Sequence, residues 1–345
     1  MRIAESLGLA TERVLICCRA ALEAYGRGVV EVWPRTESWS EFTGLRLYMP
    51  ARMGEWEGFK VIREDPSTSD GRLGRRTAWM IVRRPLDKKA WWLPADAITD
   101  ARTGAAGALA AEFLAPPSRK AAIIGTGRVA RSLARSLAEL TRQGGRLSSL
   151  RGVEFFSRSE ERRRRFHADL GPGLDLPLIE AGSAAEALRG AGVVLLAAAS
   201  PVPVVEADQL DPVVHVSALS GGPFSHALGI STLIQANLIV VDEMTQCLQS
   251  GEMIDLAAQG CLEQLRFARA AAPLGDRAAH IGDAAIGRIQ RPKDGISIAF
   301  LSGLAILDLA VAIEVVLSGG VQPLDVVHAG LSGPGEEDDP WRPIP

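Results

Sequence analysis

The stretch "AAIIGTGRVARSLARSL" places Gly125, Gly127 and Ala130 in a GxGxxA pattern, directly after an apolar run and directly before a helical one. Glycine at the first position permits a tight turn, glycine at the second lets backbone approach a pyrophosphate, and alanine lets helix and strand pack closely. The amides of the helix start would then face phosphate groups, so a dinucleotide is the ligand this arrangement suits. The next strand, "VEFF", is followed by Ser157, Arg158 and Ser159. An NAD site usually carries a carboxylate there for the ribose 2′-hydroxyl, whereas a guanidinium suits a 2′-phosphate, so NADP(H) is expected over NAD(H). The expected cradle is Gly125, Thr126, Gly127, Arg128 and Val129 in the turn, with Ser157, Arg158, Ser159 and Ser200 at the ends of later strands. Ser157 with Glu160 also matches the S-x-x-E pattern of a capping box at the next helix start.

Other chemistry-bearing residues are single rather than clustered. His226 sits in the loop-like "SGGPFSHAL", His215 lies in a core-strand pattern that suits packing, and Asp308 is a lone acid on an apolar stretch, suited to a hydrogen bond or to a site. The arginines at 162 to 165 are consecutive, and at about 100° per residue they sweep around a helix instead of forming one face, so most should be solvated. Lysine plus arginine number 38 against 41 acidic residues, which leaves no overall positive field for nucleic acid. The four cysteines, Cys17, Cys18, Cys247 and Cys261, lack zinc-site spacing and suit a reducing compartment, and no metal site is expected. No apolar run reaches the eighteen or so residues of a membrane span, so a soluble cytoplasmic protein is expected.

The elements that must position these groups follow from periodicity. Residues 12 to 25 are helical in spacing, "GLRLYMPARM" and "GFKVIRE" are extended, and Thr99 is placed to cap a long alanine-rich helix ended by Pro116 and Pro117. From Lys120 onward, "AAIIG", "VEFFS", "GVVLLAAAS", "VVHVSAL" and "NLIVVD" alternate with helical patterns, as in a parallel sheet covered on both faces. "ISIAFLSGLAILDLAVAIEVVL" reads as one long apolar helix, Trp91 and Trp92 as a core or interface pair, and residues 331–345 as a disordered tail. The fold expected is α/β: a Rossmann doubly wound parallel sheet with a smaller α/β domain.

Together, "WPRT", "YMPA", "GFKVI", "AITDARTGAAGALAAEFL", "IIGTGRVA", "VVDEMTQCLQSGE" and "LAILDLAVA" resemble the ornithine cyclodeaminase and mu-crystallin family, over about Trp33 to Leu317. The resemblance implies a substrate and dimerisation domain at 1–115, completed by 304–330, around a Rossmann domain at 116–303, in a homodimer. It also implies a small carboxylate substrate, with Arg35 of "WPRT" and Arg102 of "DARTGAA" holding the carboxylate and Lys60 of "GFKVI" as the active-site lysine. A forked guanidinium suits a carboxylate, and a lysine amine can protonate nitrogen. The sequence departs from the cyclodeaminases where Gly221 and Gly222 stand in place of an aspartate that handles the substrate's side-chain amine, and Leu301 replaces a serine before "GLAILD". The expectation is therefore an NADP(H)-dependent reductase or dehydrogenase acting on the C=N or C=O carbon of an amino-acid-derived imine or keto acid. The alternatives are an ornithine or lysine cyclodeaminase with a relocated acid, an amino-acid dehydrogenase of siderophore-like biosynthesis, which "ILDLAVA" resembles, or a ligand-binding protein without catalysis.

Overall fold

The structure, a computed structural model, describes residues 9–65, 76–198, 200–219, 222, 225–269, 279–319 and 321–324. Gly221 and the tail at 331–345 lie outside these residues. Helix α1 (Thr11–Arg27) buries Val14, Leu15, Cys18, Ala21 and Leu22, the stripe that its helical spacing requires, and ends on Gly28 in the left-handed region. Then come β1 (Val30–Val32), β2 (Thr36–Ser40), β3 (Gly44–Met53), β4 (Trp56–Glu64), β5 (Arg76–Arg84) and β6 (Lys89–Pro94), in a first sheet of order β1-β3-β4-β5-β6, with β2 also on β3. All its pairings are antiparallel. Met49, Lys60, Met80 and Leu93 stand in one cross-strand row and are all buried, so a lysine occupies a position that the strand alternation gives to the core.

Helix α2 (Asp96–Leu114) connects the first sheet to the second. Its N-cap residue is Ala95, and no side chain caps it. Thr99 lies inside the first turn, where its hydroxyl donates to the Ala95 carbonyl at 2.7 Å, and the expected Thr99 cap is thereby corrected. The helix stops at Leu114, just ahead of Pro116 and Pro117, as proline requires. Its Ala- and Gly-rich middle allows close neighbours: a Cβ at Gly104 would overlap Ser132 of α3 (Arg128–Gln143).

The second sheet contains β7 (Lys120–Ile124), β8 (Gly152–Phe156), β9 (Leu178–Glu180), β10 (Val193–Leu196), β11 (Val213–Ala218), β12 (Leu238–Val241) and β13 (Gly295–Phe300). Its order is β12-β13-β11-β10-β7-β8-β9, parallel throughout, which is the doubly wound α/β arrangement, with the chain reversing direction of travel between β7 and β10. The intervening helices are α4 (Glu160–Leu170), α5 (Ala184–Leu188), α6 (Ile230–Gln235), α7 (Met244–Cys247), α8 (Gly251–Ala258) and α9 (Ile281–Ala285), and α10 (Ala305–Leu317) follows the last strand.

Two further expectations are corrected. The stretch from Ile296 is not one helix. Residues 295–300 form β13 between β11 and β12, Gly303 turns the chain at φ 113°, and α10 begins only at Ala305. Apolar runs of this length are ambiguous until the neighbours are known, and here two strand edges were waiting to be paired. At the start of α4, Ser159 and not Ser157 is the cap, its hydroxyl accepting from the Arg162 amide.

Candidate active site

Three charged side chains meet in the interior. Lys60 of β4 and Asp308 of α10 are each 0% exposed, and Lys60 Nζ lies 2.7 Å from Asp308 Oδ1. Arg102 of α2, also buried, donates from Nε to the same oxygen at 3.0 Å. Asp308 Oδ2 is buried without a hydrogen-bond partner among the described residues, and neither Nη group of Arg102 has one. Burial lowers the Lys60 pKa to about 7, with Asp308 opposing that shift and Arg102 and Arg76 adding to it. An amine that titrates near neutrality can hold or give a proton under ordinary conditions.

Backbone geometry fixes the approach to Arg102. A Cβ at Gly303 would stand 3.2 Å from both Nη atoms, so glycine lets the backbone pass close to the guanidinium. Gly303 is in turn held by Asp242, whose buried carboxylate accepts from the amides of Glu243, Ser302 and Gly303 and from the Ser302 hydroxyl. Burial raises the Asp242 pKa while these donors work against the rise.

The glycine turn lies at the C-terminal end of β7, at the switch point of the second sheet. Gly125 has φ 120°, and a Cβ there would overlap the Ala197 carbonyl beyond β10. Gly127 caps α3 with no side-chain acceptor on the first-turn amides, and a Cβ on it would meet nothing within 4 Å. Open space in front of free helix amides fits a pyrophosphate. Thr126 Oγ1 and Ser157 Oγ are 2.8 Å apart, which joins the turn to the end of β8. Arg158 is exposed and has no ion-pair partner among the described residues. Arg163 is different from its neighbours: it pairs with Glu180, donates to the Ser157 carbonyl at 2.6 Å and covers the Phe156 ring, while Arg162, Arg164 and Arg165 are exposed.

Arg128, in the first turn of α3, places its Nε 3.0 Å from Oδ2 of Asp100 on α2, the helix that also carries Arg102. Burial raises the Asp100 pKa to about 6, against the pull of Arg128.

Not every candidate joins this arrangement. Arg35 has a largely buried side chain paired with Glu37 at 3.3 Å and makes no ion pair with Lys60, Arg102 or Asp308. The Ser200 hydroxyl is turned to the Val202 backbone, and Val129 lies in the first turn of α3. His226 rests 3.7 Å from Asp255, away from the cluster. His215 is wholly buried between Ser217 and Ser297, which pushes its pKa down to about 3 and matches a packing role. Asp308, suited by its sequence to a hydrogen bond or to a site, joins the cluster; Asp100, the first residue of "DARTGAA", had been given no role. The signal for Asp308 was an acid inside the apolar stretch "LAILDLAVA", which is costly to bury unless a cation meets it.

Residues 5–317 match the ornithine cyclodeaminase/mu-crystallin family. The chain is 28% identical to an ornithine cyclodeaminase of Agrobacterium tumefaciens over 60% of its own length and 57% of that protein's. The structure of a Thermococcus litoralis Δ1-pyrroline-2-carboxylate reductase in complex with NADH and L-proline superposes with a TM-score of 0.78 at 23% identity, covering 93% of this chain and 98% of that one. An archaeal alanine dehydrogenase dimer with bound NAD gives 0.76 at 26% identity, covering 94% and 97%. With a doubly wound sheet, a GxGxxA turn and a family match along most of its length, this chain is a member of the ornithine cyclodeaminase/mu-crystallin family.

Proposed function

We propose that the protein is a nicotinamide-dinucleotide-dependent oxidoreductase that reduces the C=N bond of an amino-acid-derived imine, or the C=O bond of a keto acid, carrying a carboxylate. The observation that carries this reading is the buried Lys60–Asp308–Arg102 cluster. The names of two similar structures, a pyrroline-carboxylate reductase and an alanine dehydrogenase, agree with it. The dinucleotide supplies the hydride when bound. Gly125, Thr126, Gly127, Arg128 and Val129 hold its pyrophosphate, Arg102 receives the substrate carboxylate on its Nη pair, and Lys60 gives the proton to the nitrogen or oxygen. Asp308 keeps both cations oriented. We retain Arg35 as a second carboxylate ligand, reached when its pairing with Glu37 opens.

NADP(H) is preferred in this reading, because Arg158 stands free at the end of β8 where no carboxylate does. Ser157 and Ser159 are already engaged with Thr126 and the Arg162 amide, which leaves Arg158 to meet a 2′-phosphate. A homodimer is also proposed. Tyr48, Phe59, Trp79, Ile81 and Trp92 fall on the face of the first sheet opposite the Lys60 row, with Trp92 48% exposed.

The test is oxidation of NADPH and NADH by the purified protein with cyclic ketimine carboxylates, and with keto acids plus ammonia or amines. Turnover with one of these classes is expected. No turnover with any, together with ammonia and proline or pipecolate formed from ornithine or lysine, would replace the reductase by a cyclodeaminase.

A further inference from the structure

The buried cluster has two cations and one anion, so with Lys60 protonated it holds one unbalanced positive charge. An anionic carboxylate seated on the Nη groups of Arg102 would balance it. Without that anion, burial is the main force against the protonated form, and the charges facing Lys60 offset it only in part. Asp308 of α10 favours its protonated form, while Arg102 of α2 and Arg76 of β5 oppose it. The neighbour from β3 is Met49, and the neighbour from β5 across the ladder is Met80, neither of which carries charge. Cys18 of α1 senses Arg102 and Asp308 and is held as a neutral thiol by its burial. The cluster is also closed, since Lys60 and Asp308 are both 0% exposed, which prevents water from screening a new charge.

We propose that binding of the substrate carboxylate beside Arg102 draws a proton from solvent onto Lys60, so that the substrate's own negative charge arms the group that will protonate it. The inference rests on the carboxylate reading given above. The proton balance is simple. Free Lys60 is largely the amine above neutrality, ligand binding converts it to the ammonium at the expense of one solvent proton, and in turnover that proton goes to the substrate nitrogen as hydride arrives at carbon. Product leaves with both hydrogens, and Lys60 returns to the amine. The consequence is selectivity for anionic substrates at the chemical step as well as at binding, because an uncharged analogue would find an unarmed lysine.

The measurement is isothermal titration calorimetry of the protein saturated with reduced dinucleotide, using pyrrole-2-carboxylate, a planar anion with no reducible imine. Titrations are run in buffers of different ionisation enthalpy. The expected slope against ionisation enthalpy corresponds to uptake of close to one proton per ligand at about pH 8, and of a much smaller fraction at about pH 6, where Lys60 is already charged. Affinity should fall towards tenfold per pH unit above about pH 8, where the coupling is complete. Lys60→Arg, which stays charged, should bind with no uptake, and Lys60→Met should bind more weakly with none. Wild-type binding with no uptake at about pH 8, or uptake that survives in Lys60→Met, overturns the inference while leaving the carboxylate site in place. Binding that Arg102→Met does not weaken, or no binding at all, removes the carboxylate reading itself, and the inference with it.

Discussion

Lys60 has two neighbours with opposite effects on its proton: Asp308 favours it and Arg102 disfavours it. Asp308→Asn removes the favourable one. The alkaline limb of the kcat/KM profile, which should follow loss of the Lys60 proton, is expected to move to lower pH in that variant. A profile whose limb stays in place would detach Asp308 from the chemistry. Lys60→Met should lower kcat/KM by roughly 10²–10⁴-fold, the usual contribution of a positioned acid. The same burial has a signature in stability. The folded-state pKa of about 7 lies below the unfolded value, so between the two the unfolded chain binds more protons and stability rises with pH. Denaturant midpoints compared at about pH 7 and pH 9.5 should therefore rise more in wild type than in Lys60→Met.

At the scale of elements, the glycine turn predicts two unlike outcomes from like substitutions. Gly125→Ala forces a side chain into positive φ and onto the Ala197 carbonyl, so it should lower the melting temperature and abolish dinucleotide binding together. Gly127→Ala meets no protein atom, so the fold should hold while dinucleotide affinity falls, seen as an unchanged apo melting temperature with a smaller shift on adding NADPH. The turn was legible because its order of strand, glycines and helix is local, and so were α1, β3, β4 and strands β7, β8, β10, β11 and β12 of the parallel sheet. What could not be read locally depended on distant partners. The ISIAF segment became a strand because β11 and β12 offered it edges. Asp308 became part of the site because a lysine 248 positions earlier points into the same core. Ser159 took the cap that Ser157 was expected to make, since Ser157 is held by Thr126 from another strand end. Lys60 and Arg102 were marked by resemblance, whose motifs carry tertiary information that spacing alone does not.

On the scale of the whole molecule, the aromatic face of the first sheet sets the expected assembly. Trp92→Glu places a charge among Phe59, Trp79 and Ile81, and size-exclusion chromatography with light scattering should show wild-type dimer and variant monomer with an unchanged circular dichroism spectrum. A wild-type monomer would refute the use of that face. Helix α2 has the opposite character, because it is enclosed. It packs against α1, α3, α9 and α10, against β5 of one sheet, and against β10, β11 and β13 of the other. Ser217 and Ser297 also donate to its Gly107 and Leu114 carbonyls. Its middle is glycine and alanine from 104 to 108, buried throughout. A larger side chain at Gly104 would overlap Ser132 of α3, and one at Gly107 would press on Leu133 of α3 and on Leu219. Divergence toward new substrates on this scaffold is thus channelled into the strand-end loops, and a saturation library across residues 104–111 should return almost no viable clones that differ in substrate range.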